Sequence, residues 1–308
     1  MRKTRILLFG EVGMELSMQP PTLPAAGTTV ANGDYQLIPA HGITFTAIAL
    51  QKLGAQCVLC GKVGNDMFGL PLVKFYQDQG VDTRYLSVLD SGKTAMHISL
   101  VAEKERRDFD FAASSRLFSA DELDETFQSM PDAVVLKRGI PVSMMLAICE
   151  FAKGRDIPVF FDVWDLPSAS ITADSRNIIP ILGIESIRRE TGSEPNSIEH
   201  CLTICRQIRK KFGTPRVVLQ LGSRGCFLYD TGNYNLTSPC NVTLVDETAA
   251  ADSFIAAFAH HFAQTASLSA AANFATAVFC KTAMRTGGAI SIPDGAESAS
   301  FAQAHNLL

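Results

Sequence analysis

The chain has 308 residues, 47% of them hydrophobic and 19% charged, an ordinary globular composition with ample apolar side chain for a full core. Lys and Arg number 27 against 31 Asp and Glu, a net charge of −4, and the basic residues are scattered, which argues against nucleic acid as a partner. No stretch approaches the ~20 apolar residues of a membrane helix, and the start MRKTRILLFGEVGMEL lacks the apolar run of a signal peptide. No membrane partner is expected, and the expected location is the cytoplasm.

In chain order, residues 5–9 (RILLF) form a short apolar run ending at Gly10 and predict a first buried strand. Residues 14–35 carry Pro20, Pro21, Pro24, Gly27 and Gly33, which predicts extended segments and turns rather than helix. A helical pattern runs from Thr44 to Leu53 and is closed by Gly54. A strand over Cys57–Cys60 follows, then the turn GKVGNDMFG and a helix to about Gln79. Residues 94–101 and 108–112 read as strand-like stretches around the charged turn EKERR. Beyond Ala113, strand-like pieces at 133–137, 157–163 and 215–221 interleave with helix-like pieces at 142–153, 196–212, 251–263 and 269–285. That alternation predicts an α/β fold, a mostly parallel sheet sandwiched by helices. The strand-rich pieces at 14–35 and 94–112 do not fit the layering. They predict a small β lid on a single domain spanning 1–308.

Eight cysteines invite a metal or disulfide reading. Cys57 and Cys60 sit in an apolar strand whose alternation sends them to opposite faces, the wrong arrangement for shared ligation. Cys201 and Cys205 share a helical face next to His200, yet no second ligand pair follows at zinc spacing. Buried free thiols are expected. Gly10 and Gly13 follow the first strand, but the full G-x-G-x-x-G and its acidic partner are missing, so a dinucleotide fold is set aside.

Three stretches bear chemistry. VDETAAADSFIAAFAHHFA (245–263) reads as a strand end, a polar turn and a helix with Asp252 in its first turn. Small residues there let a ligand approach backbone N–H groups, and the helix dipole favours an anion. A carboxylate in that turn can take a proton from a hydroxyl attacking a phosphoryl group, although acidic residues are common in first turns simply because the dipole stabilises them. The second stretch, residues 40–69, is a helix, a Gly-Ala turn, a buried strand and a G-x-x-G-x-D-x-x-G turn. The third, VVLQLGSRGCFLY (217–229), reads as a strand, a G-x-x-G turn and a second strand.

In order and spacing these stretches resemble the ribokinase-type (PfkB) carbohydrate kinase family. LGAQCVLCGKVGNDMFG is similar to its first signature, and DETAAADSFIAAF aligns with its second, D-T-x-G-A-G-D-x-F. The 217–229 hairpin resembles the nucleotide-side strand pair, GKTAMHISLVAEKERRDFDFA the lid strands, and GGAISIP (287–293) the C-terminal end. The resemblance runs nearly end to end. It implies a ribokinase-like fold and transfer from ATP with Mg2+ to a hydroxyl of a small sugar-like substrate.

Carried over by position, the resemblance puts the catalytic base on Asp252 and the anion hole on Ala249, Ala250 and Ala251. Both glycines of that Gly-Ala-Gly are lost. If either position needs positive φ, alanine costs about 1–2 kcal/mol. Gln220, Gly222, Ser223 and Gly225 would border the nucleotide. On the substrate side Glu15 replaces an Asp, the Gly-Gly hinge falls on Ala40 and His41, and an Asn becomes Phe45, a ring that can stack on something flat but not read a hydroxyl. Glu185 can be placed in the N-x-x-E motif that helps order magnesium water; its Asn cannot. His41 is either a contact for an anionic substrate or a solvent-facing loop residue, and the second is the expectation. Arg106 and Arg107 read as a solvated charge cluster. A kinase for a sugar, sugar acid, polyol or nucleoside is the first expectation, because the base is retained. The alternative, motivated by the altered positions, is a binding or regulatory protein without turnover. Exposed lid edges suggest a homodimer through 14–35 and 94–112.

Overall fold

The computed structural model describes residues 2–103, 105–162 and 175–308. The large sheet has nine strands in the order β13-β12-β11-β10-β9-β8-β1-β4-β5. They are β1 (Arg5–Phe9), β4 (Gln56–Gly64), β5 (Asp82–Leu89), β8 (Ala133–Leu136), β9 (Val159–Asp162), β10 (Ile178–Leu182), β11 (Arg216–Gln220), β12 (Cys226–Asp230) and β13 (Asn233–Leu236). All neighbours are parallel except β11–β12 and β12–β13, which are antiparallel. A second sheet of four strands, in the order β3-β2-β6-β7, comprises β2 (Val12–Gln19), β3 (Asp34–Gly42), β6 (Ala95–Ala102) and β7 (Glu105–Phe111).

The helices are α1 (Thr44–Lys52), α2 (Gly69–Asp78), α3 (Leu123–Gln128), α4 (Val142–Lys153), α5 (Ile184–Thr191), α6 (Ile198–Phe212), α7 (Ala250–Thr265), α8 (Leu268–Ala283) and α9 (Gly295–Ala304). Strand β1 shows why they must cover both faces. Ile6 and Leu8 pack in a core with α1, α7 and α8, whereas Leu7 and Phe9 pack in a second core with α4 and α6. A strand apolar and buried at four consecutive positions, Ile6 to Phe9, can be satisfied only by a layer on each side. The same alternation places Cys57 in the first core and Cys60 in the second. Cys201 and Cys205 both face the second core from α6, and all eight cysteines are free and buried.

Three local readings are corrected. Val245 does not end a strand; residues 240–246 carry no regular structure, and the N–H groups of Val245 and Asp246 both donate to the carbonyl of Ala283. Glu105–Arg107 belong to β7 rather than to a turn, because they pair with Leu100–Ala102. Residues 34–42 form β3, so the small sheet reaches beyond residue 35. Residues 163, at the end of one predicted strand, and 104, in the charged turn, lie outside the described residues. Among the described residues no helix is long and apolar enough to cross a membrane.

Candidate functional site

In an open parallel sheet the carboxyl ends of the strands, where the strand order reverses, form the natural crevice. Here the order reverses at β1, whose neighbours are β4 on one side and β8 on the other. Glu11 follows β1 and Lys137 follows β8, so both stand at that switch point.

Asp252 lies in the first turn of α7 and is partly buried. Its Oδ1 accepts a hydrogen bond from Thr46 Oγ1 at 2.7 Å and lies 3.0 Å from Lys137 Nζ. Thr46 is on α1, which packs against α7, so three segments distant in sequence hold one carboxylate. Ahead of Asp252, neither Ala249 (φ −105°) nor Ala251 has positive φ. The strain that alanine would bring to a left-handed position therefore does not arise. Ala249 and Ala250 are buried, Ala251 is exposed, and among the described residues no side chain caps the start of α7.

Beside this helix start is a cavity of about 390 Å³ whose walls include Gln220, Glu185, Glu247 and Ala251. Gln220 is buried at the end of β11, and its Nε2 has no hydrogen-bond partner. Glu185, in the first turn of α5, is exposed and bonds Arg188 at 2.5 Å. Gly222, Ser223 and Gly225 are not in the cavity wall. They form the turn between β11 and β12, with Gly222 (φ +66°) and Gly225 (φ +91°) both left-handed. A Cβ at Gly225 would meet Thr237 Oγ1 at 2.7 Å, so the turn admits no side chain there.

The residues expected on the substrate side separate. Glu15 is half-buried on β2, just past a bulge between Gly13 and Glu15. Phe45 is not a stacking platform: it is 7% exposed and packed in the α1–α7 core, with a Cβ at Gly288 only 3.1 Å from the ring. His41 is not a solvent-facing loop residue either. It lies near the end of β3, is 4% exposed, and is stacked beside His97 with ring centroids 5.2 Å apart. Its Nε2 is 3.1 Å from Asp110 Oδ1 and 3.3 Å from Glu11 Oε2. Both are ion-pair contacts when the imidazole is protonated. Burial lowers the pKa of this imidazole, but the two carboxylates outweigh it and raise the value to about 9. Contact with His41 and His97 in turn holds the Asp110 carboxyl far below its usual range. Arg106 and Arg107 are exposed and paired with Asp108 and Glu105, a solvated charge cluster.

Sequence reasoning did not find Thr46, Lys137, Glu11, His97 or Asp110. A signal existed for two of them: Glu11 and Lys137 are charged residues just past the carboxyl ends of strands whose last four residues are all apolar. A weaker one marked Asp110, since DFDF alternates so that Asp108 and Asp110 share a face.

Among curated relatives, the ribokinase of Haemophilus influenzae is 22% identical over 306 residues, covering 98% of this chain and 99% of its own. The ribokinase of Bacillus subtilis is 27% identical over 284 residues, covering 88% and 89%. In fold, the structure of Arabidopsis thaliana ribokinase complexed with ribose and ATP superposes with a TM-score of 0.84 at 22% identity, over 98% of this chain and 99% of that one. Residues 3–295 match the pfkB family carbohydrate kinase, and the chain belongs to that family.

Proposed function

We propose that this protein transfers a phosphoryl group from ATP to a hydroxyl of a small sugar, sugar acid, polyol or nucleoside. The observation that carries the reading is Asp252: a carboxylate in a helix first turn, clamped by Thr46 and Lys137 at the sheet's switch point, beside a cavity of nucleotide-compatible size. ATP and Mg2+ fit the residues present. The uncapped α7 start offers backbone N–H groups to phosphate, Gln220 Nε2 is an unused buried donor, and the carboxylates of Glu185 and Glu247 line the cavity where they would bond magnesium-bound water. When bound, ATP with its magnesium supplies the phosphoryl group and neutralises its oxygens.

The chain's own residues then do the following. Gln220 and the turn at Gly222, Ser223 and Gly225 border the nucleotide, while Glu185 helps order magnesium through water. Both clamping contacts fall on Asp252 Oδ1, and Oδ2 is assigned to the substrate hydroxyl, whose proton passes to it as the new O–P bond forms and the bond from the γ-phosphorus to the bridging oxygen breaks, releasing ADP. Backbone N–H groups over Ala249–Asp252 steady the transferring group. Glu15 faces the acceptor from the small sheet, which closes over it as a lid on a single domain. The free, buried cysteines suit a reducing, cytoplasmic compartment.

A second reading, a binding protein without turnover, is favoured by one observation: the buried Phe45 and His41 occupy the substrate side. An acceptor screen separates the two. Purified protein is offered ATP, magnesium and a panel of sugars, sugar acids, polyols and nucleosides, with products identified by mass spectrometry. Phosphorylation of an acceptor by the wild type, absent in Asp252→Asn, supports the kinase. Acceptor binding with no ADP formed across the panel supports the second reading.

A further inference from the structure

We propose that His41, His97 and Asp110, backed by the Glu11 carboxylate, form a site for a divalent transition-metal ion of the zinc type that ties the small sheet to the large one. Three strands and one loop converge here. His97 on β6 lies directly opposite Asp110 on β7, and His41 on β3 lies opposite Gly13 on β2. Cross-strand partners share a face of a sheet, so these side chains meet on one side. Glu11 approaches from the large sheet, at the end of β1.

The ligand atoms of His41, His97 and Asp110 all lie within 4.8 Å of one another. Zinc bonds to nitrogen and oxygen of roughly 2.0–2.2 Å, arranged tetrahedrally, place neighbouring ligand atoms about 3.3 Å apart. His41 Nε2 already stands 3.1 Å from Asp110 Oδ1 and 3.3 Å from Glu11 Oε2. His97 Nδ1 is 3.9 Å from Asp110 Oδ1, so its ring must turn inward to complete the set.

A second observation also calls for a ligand. Glu11 Oε1, His41 Nε2 and His97 Nδ1 are buried polar atoms without a hydrogen-bond partner, and Glu11 and His41 are only 2% and 4% exposed. His41 Nε2 and His97 Nδ1 both lie beside Asp110 Oδ1, and a divalent cation that displaces the His41 proton would satisfy the two nitrogens together. The far nitrogen of His97, Nε2, is 3.5 Å from Asp108 Oδ1, the outer carboxylate that ligating imidazoles commonly have. Two imidazoles with carboxylates select the zinc class over magnesium or calcium, which prefer all-oxygen sets.

The test is equilibrium dialysis of the metal-free protein against zinc chloride, with cobalt(II) spectra reporting the ligands. The buried cysteines are the rival ligands, and cobalt shows a thiolate charge-transfer band if they bind. The expected result is one ion per chain, no thiolate band, and affinity lowered about tenfold or more in both His97→Ala and Asp110→Asn. Asp110 is exposed enough that its amide variant should keep the fold, which circular dichroism without metal confirms. No zinc bound by the wild type, a thiolate band, or a loss below tenfold in the folded Asp110→Asn protein overturns the proposal.

Discussion

Asp252, Lys137 and Thr46 lie on three elements, and each is ordinary by itself. Acidic residues are common in helix first turns, a lysine can end any strand, and threonine is frequent in helices. What makes them a unit is the packing of α1 on α7 and of α7 on β8, which brings an ammonium and a hydroxyl onto one carboxylate oxygen. Replacing Asp252 with Asn keeps the size and the bond from Thr46 but removes the carboxylate proposed as proton acceptor. Turnover is expected to fall on the order of 10²–10⁴-fold with the melting temperature little changed, and retained turnover would remove Asp252 as the base. The carboxylate was legible from its place in a helix start; its partners were not, because no local pattern encodes a contact across 115 or 206 residues of chain.

At the scale of elements, the apolar strands and their helices could be read directly. RILLF and AVVL are buried at nearly every position, and α4 runs over 142–153 as the pattern indicates. Strand β10 was missed for a physical reason: Pro180 lies inside it, and proline supplies no N–H to a ladder. Strand β3 was missed because most of its side chains are exposed, so no buried face marks it. Helix α7 carries a pH prediction. His260 is buried on it, with Nδ1 2.6 Å from Thr4 Oγ1, and burial lowers its pKa from 6.5 to about 4. The unfolded chain therefore takes up this proton first as pH falls. The contribution to stability is fully present above about pH 6.5 and is lost progressively toward pH 4, by up to about 3 kcal/mol. Denaturant unfolding between pH 7 and pH 4.5 should show that fall, and His260→Gln should flatten it; an unchanged slope in the variant would assign it to other groups.

At the scale of the molecule, the large sheet buries itself between two helical layers, while the small sheet leaves β3 and β7 as its outer strands. Tyr35, Leu37 and Ile38 on β3 are exposed, as are Phe109 and Phe111 on β7. Apolar side chains on uncovered edge strands favour pairing with a second copy, so light scattering at micromolar concentration should give a dimer. A monomer would count against that pairing. The overall architecture was readable because periodicity and glycine punctuation are local. The substrate side was not, since His41 and Phe45 take their surroundings from distant strands and helices.

The central claim is that the crevice beside α7 holds ATP with magnesium, and calorimetric titration of the purified protein tests it most directly. The account predicts saturable binding below millimolar ATP, because the α7 start is unstrained and uncapped and Gln220 has a donor to offer. No heat of binding up to millimolar ATP would contradict it and leave a phosphoryl-transfer fold without its donor.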